Sequence, residues 1–230
     1  MTRRILLAAL FLSQASAFQA PGSHPVSGRK IAGVMGMSGA DWLVRPEREA
    51  EEQPEKALDA LNLKPGMVVA DIGAGVGYMS LRMARRVGPA GKVYANDLQP
   101  AMLDRLRQNA SKAGIGNVVT VVGEVADPKL PSNTMDLVLL VDVYHEFSQP
   151  QQMLRKIRET LKPDGRLVLL EYRAEDPNVP ILAEHKMTVA QVKAELEAEG
   201  FVLQPVIETL PRQHILILTK AAAKAARQEQ

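Results

Sequence analysis

An alternation of two hydrophobic periods is the feature that most constrains how this chain can fold. Apolar runs at 67–70, 93–95, 118–122, 137–141 and 167–170 are separated by stretches whose apolar residues recur at helical spacing. Met79, Met83 and Val87 form one such stripe, Leu103, Leu106 and Ala110 a second behind Pro100, and Leu154, Ile157 and Leu161 a third. Strands joined through helices run parallel, because a parallel partner is reached only by a crossover, and the crossing helices then cover the sheet. A fourth helix is expected to open on the capping box Thr188-x-x-Gln191 and to stop at Gly200. "FVLQPVIETL" and "QHILILTK" follow, joined through Pro211-Arg212, and predict a hairpin that adds an antiparallel strand. The expected architecture is α/β: a doubly wound, mostly parallel, seven-stranded sheet with a C-terminal antiparallel hairpin strand.

Upstream of this pattern, Arg3 and Arg4 precede an apolar run at 5–12 and the small residues Ala15-Ser16-Ala17. That is the order of a secretory signal, so residues 1–17 are expected to be removed on export to the periplasm or medium; a true start at Met35 or Met37 would instead leave the protein in the cytoplasm. The run is too short to span a bilayer as a helix, and a chain without cysteine carries no lipoprotein anchor, so no stable membrane anchor is expected. Residues 18–40, rich in Gly, Ser and Pro without apolar periodicity, read as a linker or loose arm. Residues 41–65 read as helical, with Pro54 in a first turn and Pro65-Gly66 as the stop, and could form a lid through Trp42, Arg45 and Arg48. The commoner role for such arginines is a solvated, salt-bridged helix face. The compact domain is then 66–220, and 221–230, lacking an apolar stripe, is expected to fray.

Composition narrows the partners. A formal net charge of +2 with 4% aromatic residues offers neither the basic excess nor the stacking surface that nucleic acid requires. The absence of cysteine excludes disulfides, thiolate metal sites and cysteine nucleophiles. The four histidines show no metal-ligand spacing, and no metal is expected.

The motif "VVADIGAGVGYMS" (68–80) places Gly73, Gly75 and Gly77 between a strand and a helix, at the end of the sheet where open α/β folds bind ligands. A glycine turn there suits either a dinucleotide or S-adenosylmethionine; a tight turn with no ligand is the structural alternative. The spacing is not the G-x-G-x-x-G of dinucleotide folds, since position 78 is Tyr. Asp71 beside the turn would repel a pyrophosphate and attract a ligand carrying an ammonium and a sulfonium. Asp97 ends the next strand, twenty residues after Gly77, where an acid can accept both ribose hydroxyls. After the third strand, Glu124 could accept from an adenine amino group while the backbone at Val125 meets the ring edge.

Together "VVADIGAGVGYMS", "VYANDLQPAML", "VVGEVADPKLPSNTMDLVLLVDVYHEF" and "LKPDGRLVLLEY" resemble the successive motifs of class I S-adenosylmethionine-dependent methyltransferases, especially the small-molecule type seen in quinone biosynthesis. The resemblance covers about 65–220 and implies a Rossmann-like fold in which Asp71 and the glycines hold the methionine part, Asp97 the ribose and Glu124 the adenine. Leu98, Val125 and Asp142 complete the expected cofactor set. Val76 departs from the hydroxyl residue common after the second glycine, Glu124 from the usual Asp, and Asp164 from a glycine in the following turn.

Methyl transfer from a sulfonium is an in-line displacement, in which protein groups align the partners, exclude water and remove a proton where the acceptor carries one. The end of the fourth strand reads Asp142-Val143-Tyr144-His145-Glu146, with His145 a candidate base and Tyr144 a candidate for positioning the acceptor. A packing role is the alternative for His145. The stretch is not the D/N-P-P-Y type that methylates extruded bases, so the expected partner is a small-molecule acceptor and not nucleic acid. Glu171-Tyr172-Arg173, ending the fifth strand, is expected to form the opposite wall. The rivals to this reading are a nicotinamide-dependent oxidoreductase and a non-catalytic protein that binds S-adenosylmethionine.

Overall fold

A computed structural model describes residues 22–222; the expected signal at 1–17 and most of the tail at 221–230 lie outside them. Five parallel strands, β1 (Val68–Ile72), β2 (Lys92–Asp97), β3 (Val118–Val122), β4 (Met135–Val141) and β5 (Leu161–Arg173), stand in the order β3-β2-β1-β4-β5. Of the remaining strands, β6 (Lys186–Met187) is a two-residue addition parallel to β5, which the sequence reading did not anticipate. The predicted hairpin is present: β7 (Phe201–Leu203) and β8 (Gln213–Lys220) are antiparallel, with β8 inserted between β5 and the edge strand β7.

The near-continuous apolar runs arise because the central strands are covered on both faces. In β4 the side chains alternate. Val138 and Leu140 join a cluster with Leu154, Ile157, Val192 and Leu196, whereas Leu137 and Leu139 join one with Leu58, Leu61, Met83 and Val87. The first cluster contains α5 (Pro150–Thr160) and α6 (Val189–Glu197), and the second contains α2 (Pro54–Leu61) and α3 (Tyr78–Val87). Helix α4 (Pro100–Lys112) adds Leu103 and Leu106 against Ala95 of β2. Methionines 79, 83, 102 and 153 are buried fillers of these faces. The capping box predicts α6 correctly: Gln191 N donates to Thr188 Oγ1 at 3.0 Å and Gln191 Oε1 accepts from Thr188 N at 2.9 Å.

Two expectations at the N-terminal side are corrected. The helix read across 41–65 is broken into α1 (Arg48–Glu52) and α2, with Gln53 left-handed at φ 50° between them. Gln53 precedes Pro54, whose ring disfavours a right-handed helical conformation in the preceding residue. Residues 22–40 are not a loose arm. Ile31, Ala32 and Ala40 are buried, and Ala32 N donates to the His145 carbonyl at 3.1 Å. Periodicity could not reveal this packing because polar contacts hold the arm. Arg29 reaches Glu195 of α6 at 2.8 Å and the His145 carbonyl at 3.0 Å, Ser27 bonds the same glutamate, and buried His24 lies 3.3 Å from it.

The chain leaves β1 towards β2 and β4 towards β5, in opposite directions, so the sheet opens into a crevice at the carboxyl ends of β1 and β4. The arm and the segment at 41–48 roof this crevice.

Candidate active site

The crevice is a cavity of ≈ 960 Å³ between the glycine turn, the strand ends and the N-terminal roof. Gly73, Gly75 and Gly77 all have positive φ, at 72°, 52° and 94°. A Cβ on Gly73 would stand 2.5 Å from Val143, and one on Gly75 would stand 2.9 Å from Leu43, so both conformation and space demand glycine. The turn is locked from below: Asp97 Oδ2 accepts from Gly75 N and Oδ1 from Gln99 N, each at 2.9 Å.

Asp71, Asp97, Leu98, Glu124, Val125 and Asp142 line this cavity with Gly73 and Gly75. Gly77, expected in the same set, does not line it: it opens α3, and a Cβ there would stand 2.8 Å from Leu106 of α4, so its role is close helix packing. The acids differ in state. Asp71 is buried, accepts from Ser80 Oγ at 2.5 Å, and is raised by burial to a pKa of about 6. Burial likewise raises Asp97. Asp142, at φ 54°, accepts from Gln213 Nε2 at 2.7 Å through Oδ2, while Oδ1 is buried with no partner; burial and then the Glu52 and Glu171 charges push its pKa well up. Glu124 stands at the rim, exposed and ion-paired with Lys129 at 3.2 Å.

This arrangement fits S-adenosylmethionine. The unpartnered Asp142 oxygen and the buried Asp71 carboxyl are acceptors that an aminoacyl ammonium would satisfy, and a side-chain-free turn admits close approach.

The opposite end is built differently. His145 is buried, its Nδ1 donating to Glu171 Oε2 at 2.6 Å, and its Nε2 lies 3.1 Å from His185 Nδ1. Burial lowers the His145 pKa, but Glu171 outweighs it and the group ends above 6.5; burial leaves His185 below its ordinary value. Glu146 is raised by burial to about 7. Apolar walls from Ile31, Val34, Phe147, Met153, Ile181 and Leu182 surround this end.

Tyr144 is the site expectation that the structure overturns. Its hydroxyl lies 3.2 Å from His24 Nε2 and its ring meets Phe147 edge-on inside the core, so it cannot position an acceptor. The 3₁₀ turn at Tyr144–Glu146 sends adjacent side chains in different directions, and only His145 and Glu146 face the cavity. In the wall from β5, Tyr172 lines the cavity, Glu171 supports His145, and Arg173 turns away to Glu208 at 2.9 Å. Arg48 is not on a solvated helix face: it is buried in the cavity wall, donating to Glu52 and to the Leu43 carbonyl, each at 2.7 Å.

Sequence reasoning missed His185, Glu146, Gln213 and the roof at 31–35. Of these only Glu146 carried a local signal, as the neighbour of His145 in the stretch that ends the fourth strand; the others are brought in by tertiary packing.

Residues 63–223 match the family described as "Methyltransferase domain". The chain belongs to this methyltransferase family. The ubiquinone/menaquinone biosynthesis C-methyltransferase UbiE of Escherichia fergusonii is 31% identical over 116 residues, covering 50% of this chain and 46% of that protein. Nocamycin O-methyltransferase of Saccharothrix syringae is 29% identical over 140 residues, covering 61% and 48%. The chain thus spans about half the length of the curated relatives it matches. A SAM-dependent methyltransferase from Aquifex aeolicus superposes with a TM-score of 0.76 at 29% identity, covering 80% of this chain and 98% of that one. The methyltransferase takes S-adenosylmethionine as its cofactor and has the Rossmann-like fold of that family.

Proposed function

We propose that this methyltransferase methylates a small, mainly apolar molecule that presents an ionisable hydroxyl or carbon acid to the His145 end of the cavity. The observation that carries the reading is the polarity of that one cavity: a glycine and carboxylate cradle at one end, a buried histidine–glutamate pair within apolar walls at the other. The cofactor supplies an electrophilic methyl group. Asp71, Asp97 and Asp142 hold and orient it, the roof excludes water, and His145, steadied by Glu171, accepts the proton that the acceptor releases. Similarity to both a C- and an O-methyltransferase supports methyl transfer and leaves the acceptor atom to experiment.

The test is incubation with S-adenosylmethionine labelled in its methyl group and a panel of apolar phenols, enols and quinols. Label is expected in the organic-extractable fraction, and its appearance only in nucleic acid or protein would refute a small-molecule acceptor. NAD, which the Asp71 turn repels, is expected to give no binding heat; heat from NAD and none from S-adenosylmethionine would reverse the cofactor assignment.

A further inference from the structure

His145, Glu146 and His185 each present a ligand atom to the same point of the cavity wall, and all three atoms lie within 4.8 Å of one another. The methyl-transfer reading uses only the first. Two imidazole nitrogens 3.1 Å apart either share a proton or face a common cation. Nitrogen ligands at about 2.0–2.1 Å from one metal, at angles between octahedral and tetrahedral, stand roughly 2.8–3.4 Å apart, a range that includes the separation found here.

The surroundings point the same way. Glu171 accepts from His145 Nδ1 at 2.6 Å, which fixes the tautomer and directs a lone pair out of Nε2, as an outer carboxylate does for a metal-bound histidine. Among the described residues, Glu146 has no lysine or arginine within salt-bridge reach, although it is half-buried and borders two imidazoles. Two carboxylates and two imidazoles make a site whose charge a divalent cation would balance. An N₂O donor set is too nitrogen-rich for magnesium or calcium and suits zinc or a neighbouring transition metal.

We propose that His145 Nε2, His185 Nδ1 and Glu146 form a three-ligand site for a divalent transition-metal ion, open towards the acceptor end of the cavity. The ligands come from the turn after β4 and from the 3₁₀ turn Ala183–His185 that precedes β6, so the ion would tie the β5–α6 connection to the sheet. A bound ion occupies the lone pair that otherwise accepts a proton, so ion and proton compete for His145. Binding needs neither cofactor nor acceptor, and the proposal therefore stands or falls separately from the methyl-transfer reading.

The experiment is calorimetric titration of zinc into the untagged, chelator-treated chain, with cobalt as a spectroscopic probe. One site per chain is expected, with visible cobalt absorption. His185→Ala and Glu146→Gln should each weaken zinc at least tenfold and abolish that absorption while keeping S-adenosylmethionine binding, which certifies the fold. His214→Ala alters a histidine held elsewhere by Glu208 and Glu175 and should leave zinc affinity unchanged. Equal zinc affinity in the parent and both site variants, or no binding below millimolar zinc, would overturn the proposal.

Discussion

Asp71 shows how a single side chain can make ligand binding depend on pH. Burial raises its pKa from 3.8 to about 6 against the Ser80 hydrogen bond and the nearby Arg48 charge, with the Asp97 charge adding to the rise. A raised carboxyl favours the folded chain while protonated, so this contribution is present at low pH and is lost as pH climbs from 3.8 through about 6. The cofactor's ammonium prefers the ionised form. Affinity for S-adenosylmethionine, measured calorimetrically, should therefore fall below pH 6, approaching about tenfold per pH unit, and Asp71→Asn should flatten the profile. Asp97→Ala removes the acceptor assigned to ribose and the brace on Gly75, and should weaken binding by roughly 1.5–3 kcal/mol. His145→Ala should leave that affinity unchanged and slow methyl transfer on the order of a hundredfold. The reverse pattern, weakened cofactor and intact rate, would make His145 a packing residue.

At the scale of elements, α6 matters less for its own length than for what it holds. Its buried Glu195 gathers Ser27, Arg29 and His24, and so fixes the arm whose Ile31, Val34 and Met35 roof the cavity. Removing one partner of a buried ion pair strands the other charge. Glu195→Gln should therefore speed hydrogen exchange at the Ile31 and Ala32 amides while β4 stays protected. Unchanged exchange in the arm would show that the roof is held by its apolar contacts alone. The helix itself was legible because its start is a local code, Thr188 to Gln191. The arm was not, since its contacts join residues more than a hundred positions apart.

For the whole molecule, the crevice exists because β1 and β4 are neighbours whose connections leave in opposite directions, and the ligand binds across that division. A ligand that binds only the folded chain stabilises it as a unit. At a hundred times its dissociation constant, S-adenosylmethionine should add about 2.7 kcal/mol, raising the melting temperature by roughly 5–10 °C for a chain of this size. NAD at the same concentration should produce no shift in the same thermal scan.

By itself the sequence determined the parallel sheet, the C-terminal hairpin and the glycine turn and acids that line the crevice. Each rests on short-range information: apolar periodicity, turn residues, and acids placed at strand ends, where the fold presents them to a ligand. Only the tertiary structure decided the rest. It turned Tyr144 into the core and His145 towards the cavity, brought His185 to within 3.1 Å of His145, and set Arg48 into the wall. These outcomes depend on which distant segments meet across the crevice, and a 3₁₀ turn or a hydrogen-bonded arm leaves no period in the chain to announce such meetings.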